Sequence, residues 1–209
     1  MRTRRETVGL ISAGLLVSSI GRAWAQAASV EDLAEPGPLG DVPLGASDAK
    51  VTIYEYASLT CGHCAAFHQS TFPELRRRYV DAGKARFILR EFPLDPLATA
   101  GFMLARADNS LRFHAVVDLL FEHQRAWAYV DKPLDALQQL MRQAGFSQEK
   151  FEATLRDQTL YAGVNAVKAR ASAKFKINST PTFFINGRRH QGSLSVDDLD
   201  KALAPHLAG

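Results

Sequence analysis

An α/β fold is what this sequence of 209 residues predicts: a β-α-β unit and a β-β-α unit, separated by an inserted helical domain. Three observations carry it. Residues 50–58 and 85–94 alternate as strands on either side of one helical stretch. From about Pro96 to Phe175 apolar residues recur at helical spacing. Strand patterning then returns at 180–192 around Asn186-Gly187, and a capped helix closes the chain.

In chain order, residues 1–25 read as a cleaved export signal. Arg2, Arg4 and Arg5 give a positive start, Val8 to Ile20 an apolar stretch too short to span a bilayer comfortably, and Ala23-Trp24-Ala25 a small-residue cleavage site. The Arg4-Arg5 pair suits the twin-arginine route as well as the general secretory one. The same segment explains the charge. Its four arginines against Glu6 give +3, which is also the net charge of the whole chain, so the remainder is neutral. No basic face for nucleic acid is implied. Residues 26–48, with Pro36, Gly37, Pro38, Gly40, Pro43 and Gly45, read as an extended lead-in.

In "KVTIYEYAS" (50–58), Val51, Ile53, Glu55 and Ala57 share one face, and Thr52, Tyr54, Tyr56 and Ser58 the other. Neither face is cleanly polar, which fits a central strand covered on both sides. A helix is predicted from Cys61 to Tyr79, kinked at Pro73 by the missing backbone donor. The strand at 85–94 should pair in parallel with the first through a right-handed crossover. Helices follow at Leu97–Ala107, Leu111–His123, Leu134–Gln143, Gln148–Leu155 and Tyr161–Phe175, with Phe102, Phe113, Phe121 and Trp127 filling their core. Ser195 caps the last helix, 195–207. One domain is thus built from 49–95 and 177–209, and 96–176 forms the insertion.

Both cysteines lie in "SLTCGHCAAFH" (58–68). A structural disulfide closing so small a loop removes little unfolded-state entropy. A zinc site needs more ligands than His63 and His68 offer. A haem attachment site needs histidine where Ala65 stands. A redox dithiol at a helix start fits best. There a thiolate meets unpaired backbone N–H groups and the positive end of the helix dipole, which lowers its pKa. Cys61 is expected to be the exposed nucleophile and Cys64 the buried resolving thiol. Gly62 imposes no bulk, and His63 can add a donor or a positive charge. His114, His123, His190 and His206 have no motif around them.

From about Pro43 to Leu207 the chain resembles the thioredoxin superfamily, and within it the DsbA family of exported thiol-disulfide oxidoreductases. "EYASLTCGHC", the helical insertion and "TPTFFING" carry the likeness. The resemblance implies a thioredoxin fold with no metal or cofactor. It implies a cis-proline, Pro181, facing the dithiol, with the backbone of Thr180 pairing with an extended client segment. It also implies a buried acid six residues before the first cysteine, here Glu55, relaying protons to the second sulfur. Two features depart from the family. Gly62 stands where DsbA proteins often carry proline, as in protein disulfide isomerase, and no cysteine remains for a second disulfide.

The expected activity is therefore that of a monomeric periplasmic oxidoreductase. It would introduce disulfides into newly exported, cysteine-containing proteins and be reoxidised by a membrane quinone reductase of the DsbB type. A disulfide isomerase or reductase of the same fold is the alternative. A metal-binding chaperone using Cys61, Cys64 and His63 or His68 is the alternative from another class.

Overall fold

The computed structural model describes residues 28–207; the expected export signal lies outside them. Four strands form one sheet in the order β2-β1-β3-β4. Strand β1 (Val51–Ala57) pairs in parallel with β2 (Ala85–Glu91), Val51 opposite Ala85, and antiparallel with β3 (Thr182–Ile185), Glu55 opposite Phe183. Strand β4 (Arg188–Gln191) completes a hairpin with β3. Asn186 and Gly187 both take positive φ, 44° and 83°, as a tight hairpin turn requires. The centre of the sheet is thus a strand buried on both sides.

On one face, Val51, Ile53 and Ala57 join Phe87 and Leu89 in a core that runs on into the helical segment. Phe102, Phe113, Phe121 and Trp127 are fully buried there. The opposite face packs Tyr54, Tyr56, Ile88 and Phe184 against Phe175 and Leu33. A buried cation holds this second face. Arg90 donates twice to the Asp41 carboxylate (2.9 and 2.7 Å), to the Tyr56 hydroxyl (3.0 Å) and to the Glu35 carbonyl (3.1 Å).

Between β2 and β3 lie α4 (Pro96–Arg106), α5 (Phe113–Glu122), α6 (Gln124–Trp127), α7 (Pro133–Gln143), α8 (Gln148–Arg156) and α9 (Gln158–Phe175). Three of their starts, those of α4, α8 and α9, are fixed by side chains. Asp95 accepts from the Ala98 N–H, Ser147 from Lys150, and Asp157 from Thr159 and Leu160. Helix α5 starts later than its apolar pattern suggests, because Asp108, Asn109 and Ser110 all take positive φ before it. The last helix, α10 (Val196–Leu207), is capped by Ser195, whose hydroxyl accepts from the Asp198 N–H.

Two expectations need correction. The lead-in is not simply extended. Ser29 caps a short helix, α1 (Val30–Ala34), which buries Leu33, and Leu44 bridges the edge of β2 at Phe87 through two backbone bonds of 2.8 and 2.9 Å. Arg170 of α9 holds the segment by donating to the carbonyls of Asp32 and Glu35. The single kinked helix over 61–79 is really three pieces: α2 (Gly62–Ser70), α3 (Phe72–Leu75) and a π-helical turn over Arg76–Val80. Pro73 lacks an N–H, so it sits in the first turn of a new helix, where none is needed. The Thr71 hydroxyl at the break donates to the Leu194 carbonyl (2.8 Å).

Candidate active site

Strand β1 delivers the chain to the site and α2 carries it away. Cys61 is the N-cap of α2, and its N–H donates to the Ser58 carbonyl (3.0 Å). Cys64 lies one turn in, with no exposed surface. Cys61 is only 8% exposed, so the expectation of an openly exposed nucleophile is too strong. The loop before β3 covers it. Thr180–Pro181 is cis, and the Thr180 carbonyl oxygen lies 3.4 Å from the Cys61 sulfur. The buried Thr180 hydroxyl has no hydrogen-bond partner.

The two sulfurs are driven in opposite directions. Cys61 falls from the ordinary thiol range to about 5. The Cys64 thiol is the largest cause; burial, next in size, opposes it, and the N–H groups of Cys64 and His63 lower it further. Cys64 is pushed well above the usual thiol value, first by burial, then by its bond to Cys61 and by the Glu55 charge. The helix start therefore acts through particular N–H groups and a neighbouring thiol. His63 contributes its backbone; its exposed imidazole makes no hydrogen bond, so the donor role foreseen for that side chain is not seen. Gly62 is exposed with open space around its Cα, beside a cleft of about 570 Å³ that also reaches His123, Arg125 and Tyr129.

Glu55 is fully buried on the face of β1 that meets α2. One carboxyl oxygen shares a 2.8 Å hydrogen bond with His68 Nε2, and the other has no partner. His68 is thus paired with the acid, and no sequence pattern signals this pairing across 13 residues. Among the described residues no group of three or more His, Cys, Asp or Glu side chains is placed to hold a metal ion.

Three further residues that sequence reasoning missed fix the loop. Gln124, buried on α6, donates to the carbonyls of Leu59 (2.8 Å) and Cys61 (3.0 Å). Tyr129 donates to the Thr60 carbonyl (2.5 Å). Asp95 accepts from the Thr60 hydroxyl while capping α4. A glutamine in a four-residue helix and a lone tyrosine carry no motif. Asp95 before Pro96 reads from sequence only as a cap.

A thioredoxin sheet, an asymmetric dithiol at a helix start and a cis-proline against it define the class of thiol-disulfide exchange folds. The family described as Thioredoxin matches residues 39–204, and the chain belongs to it. Among solved structures it is similar to alpha-DsbA1 of Wolbachia pipientis, with 28% identity and a TM-score of 0.78 over 86% of this chain and 96% of that one. A protein-disulfide isomerase of Novosphingobium aromaticivorans shares the fold at 20% identity and a TM-score of 0.72, over 81% of this chain and 98% of that one. Curated relatives include a candidate protein-disulfide oxidoreductase of Rickettsia felis, 33% identical over 78% of this chain. Another from Rickettsia prowazekii is 30% identical over 78% of this chain. The chain spans about 60% of the length of these relatives, 59% and 60% respectively.

Proposed function

We propose that the protein is a thiol-disulfide oxidoreductase that donates the Cys61–Cys64 disulfide to newly exported proteins. The observation that carries this is the unequal placement of two sulfurs one turn apart: Cys61 caps α2 with its sulfur 3.4 Å from the Thr180 carbonyl, while Cys64 is fully buried, an asymmetry that lowers the first thiol and raises the second. A client thiolate attacks the Cys61 sulfur. A client–Cys61 bond forms, the Cys61–Cys64 bond breaks, and its electron pair leaves on Cys64, which takes a proton. A second client thiolate then attacks the client sulfur of the mixed disulfide. The client disulfide forms and Cys61 leaves as a stabilised thiolate. Two electrons have passed from the client to the protein.

The easy departure of Cys61 favours the reduced protein and hence oxidation of the client. That supports an oxidase over an isomerase despite Gly62. Glu55 is the proton source for Cys64, and the Thr180 backbone before Pro181 receives the client as an added strand. Tyr129 and Leu94, both at least half exposed, flank the loop and offer apolar surface to an unfolded chain. The sequence pattern of residues 1–25 supports a periplasmic location in this reading, with a membrane quinone reductase of the DsbB type restoring the disulfide.

The test uses one ribonuclease client in two states. Oxidised protein with reduced client is expected to form disulfides quickly, and reduced protein with scrambled client to recover little activity. Recovery at the rate of a dedicated isomerase would overturn the oxidase reading. In Cys64→Ala, client is expected to be trapped on Cys61. Trapping through Cys64 in Cys61→Ala instead would reverse the assignment of the attacked sulfur.

A further inference from the structure

The relay just described leaves one question of proton supply. Cys64 and Glu55 are both fully buried, so a proton given to the sulfur has to be replaced from somewhere. One neighbour of Glu55 is a histidine, a side-chain type that can carry a proton. His68 Nε2 lies 2.8 Å from Glu55 Oε2, and its side chain is 3% exposed. The ring is stacked on Phe121, centroids 4.2 Å apart at 21°, and packed at a tilt against Phe72, which fixes its direction. Both ends of the pair are open. Glu55 Oε1 and His68 Nδ1 are buried atoms with no hydrogen-bond partner. Such atoms are costly in a native interior and ask for an explanation.

A cleft of about 440 Å³ reaches the ring, lined by His68, Phe72, Phe121, Arg76, Asp118 and Glu122 among others. The charged and titratable groups facing His68 are Glu55 from β1, Arg76 from the π-helical turn, and His114, Asp118 and Glu122 from α5. Asp118 is raised by burial, with His68 acting in the opposite direction. The cleft therefore reaches the ring, whose Nδ1 is buried, while the relay acid meets Nε2.

We propose that His68 is the proton port of this site, passing protons between the cleft and Glu55. The proposal rests on the Glu55 relay and extends it. When the Cys61–Cys64 bond breaks and its electron pair arrives on Cys64, the Glu55 acid gives its proton to the sulfur and becomes a carboxylate. The His68 imidazolium returns a proton through the Nε2–Oε2 bond and becomes neutral. Nδ1 is the end that takes up the replacement from the cleft. No oxidant beyond the disulfide itself is involved. His68 touches no reacting sulfur, so it is a positioning residue for Glu55 that also carries its proton.

The measurement is the single-turnover rate at which a reduced two-thiol peptide reduces the oxidised protein, from acid to mildly alkaline pH. Reading each variant as a ratio to wild type cancels ionisation of the peptide. In His68→Gln the side chain still donates to Glu55 but does not titrate. The ratio is expected to be near one in acid and to fall about tenfold as the solution becomes alkaline. A ratio flat with pH would show that His68 only holds Glu55 and would overturn the inference. Glu55→Gln separates the two levels. If it slows exchange while His68→Gln follows wild type, the relay stands and the port falls. If neither slows exchange, the relay itself falls. In Asp118→Asn the ratio should stay flat, and a matching fall there assigns the limb to Asp118 and overturns the inference. Should His68→Gln not fold, nitrogen-15 spectra of the wild-type rings serve instead. The His68 ring is expected to change protonation between oxidised and reduced protein at neutral pH, and identical spectra would overturn the inference.

Discussion

The two faces of the sheet each bury a charged group next to a tyrosine or a histidine, and they treat it differently. Behind the sheet, Arg90 is tied to Asp41, Tyr56 and the Glu35 carbonyl, and none of its nitrogens is left over. On the dithiol side, Glu55 and His68 hold each other by one bond, and each keeps a buried atom without a partner. Glu91 also keeps an unpaired oxygen, but it is held by Arg106, whose guanidinium does not release a proton. A saturated network fixes structure. An unsaturated pair that can share a proton leaves capacity for chemistry.

The largest stability effect is expected behind the sheet. Arg90→Met leaves the Asp41 carboxylate and the Tyr56 hydroxyl without their cation, at a cost of about 3 kcal/mol in urea unfolding. The Cys61 titration, followed by thiolate absorbance, should not move. A shifted thiol there would show that the two faces are coupled and break the comparison.

That contrast also shows what the sequence made legible. Alternation in β1 and β2, the Asn186-Gly187 turn and the apolar helix faces are local patterns, and they put Glu55, Cys61 and Pro181 on the right elements. Gln124 with Cys61, His68 with Glu55 and Arg170 with Glu35 are pairs formed only when distant elements meet, and no spacing rule announces them. The break at Thr71 was half legible: Pro73 marked a disturbance, but the bond from Thr71 to Leu194, which fixes where the helix stops, spans 123 residues. The openness of Cys61 was misjudged because its cover, the Thr180 loop, is also remote in sequence.

Next in size is the effect of pH on the redox pair. The folded Cys61 pKa lies near 5, below its unfolded value, so the thiolate stabilises the reduced protein fully above the ordinary thiol pKa and is lost as pH falls through about 5. Between pH 5 and 7 the reduced form is expected to gain about 1 to 2 kcal/mol over the oxidised form, after discounting for solvent screening. Cys64 acts in the opposite sense at alkaline pH, because its raised pKa opposes ionisation that the unfolded chain allows. Paired thermal melts of the two redox forms across pH test this. An oxidised form that melts higher at pH 7 would contradict the assignment of Cys61 as the stabilised thiolate.

Tyr56→Phe sharpens the comparison on the saturated face. It removes one of the acceptors of Arg90 and is expected to cost about 1 kcal/mol by urea unfolding, with disulfide exchange unchanged. The smallest stability effect is expected for Glu55→Gln, within about 0.5 kcal/mol, since a bond to His68 survives. Client oxidation should nevertheless slow about tenfold. Equal losses of stability from Tyr56→Phe and Glu55→Gln, with equal exchange rates, would show that the two faces do not differ in kind.

The bridge between Leu44 and Phe87 has a consequence for the function proposed above. A client in extended form is also a candidate extra strand, and an open sheet edge would hold it wherever it happened to pair. At the β2 edge the lead-in already occupies the backbone groups of Phe87, with Arg90 and Arg170 pinning the segment in place. The other edge, β4, presents Arg188 and Arg189, charges that discourage pairing along a strand. Both borders thus discourage casual pairing, and under the proposed function the Thr180 loop beside Cys61 is the place where an extended client would be held and then let go.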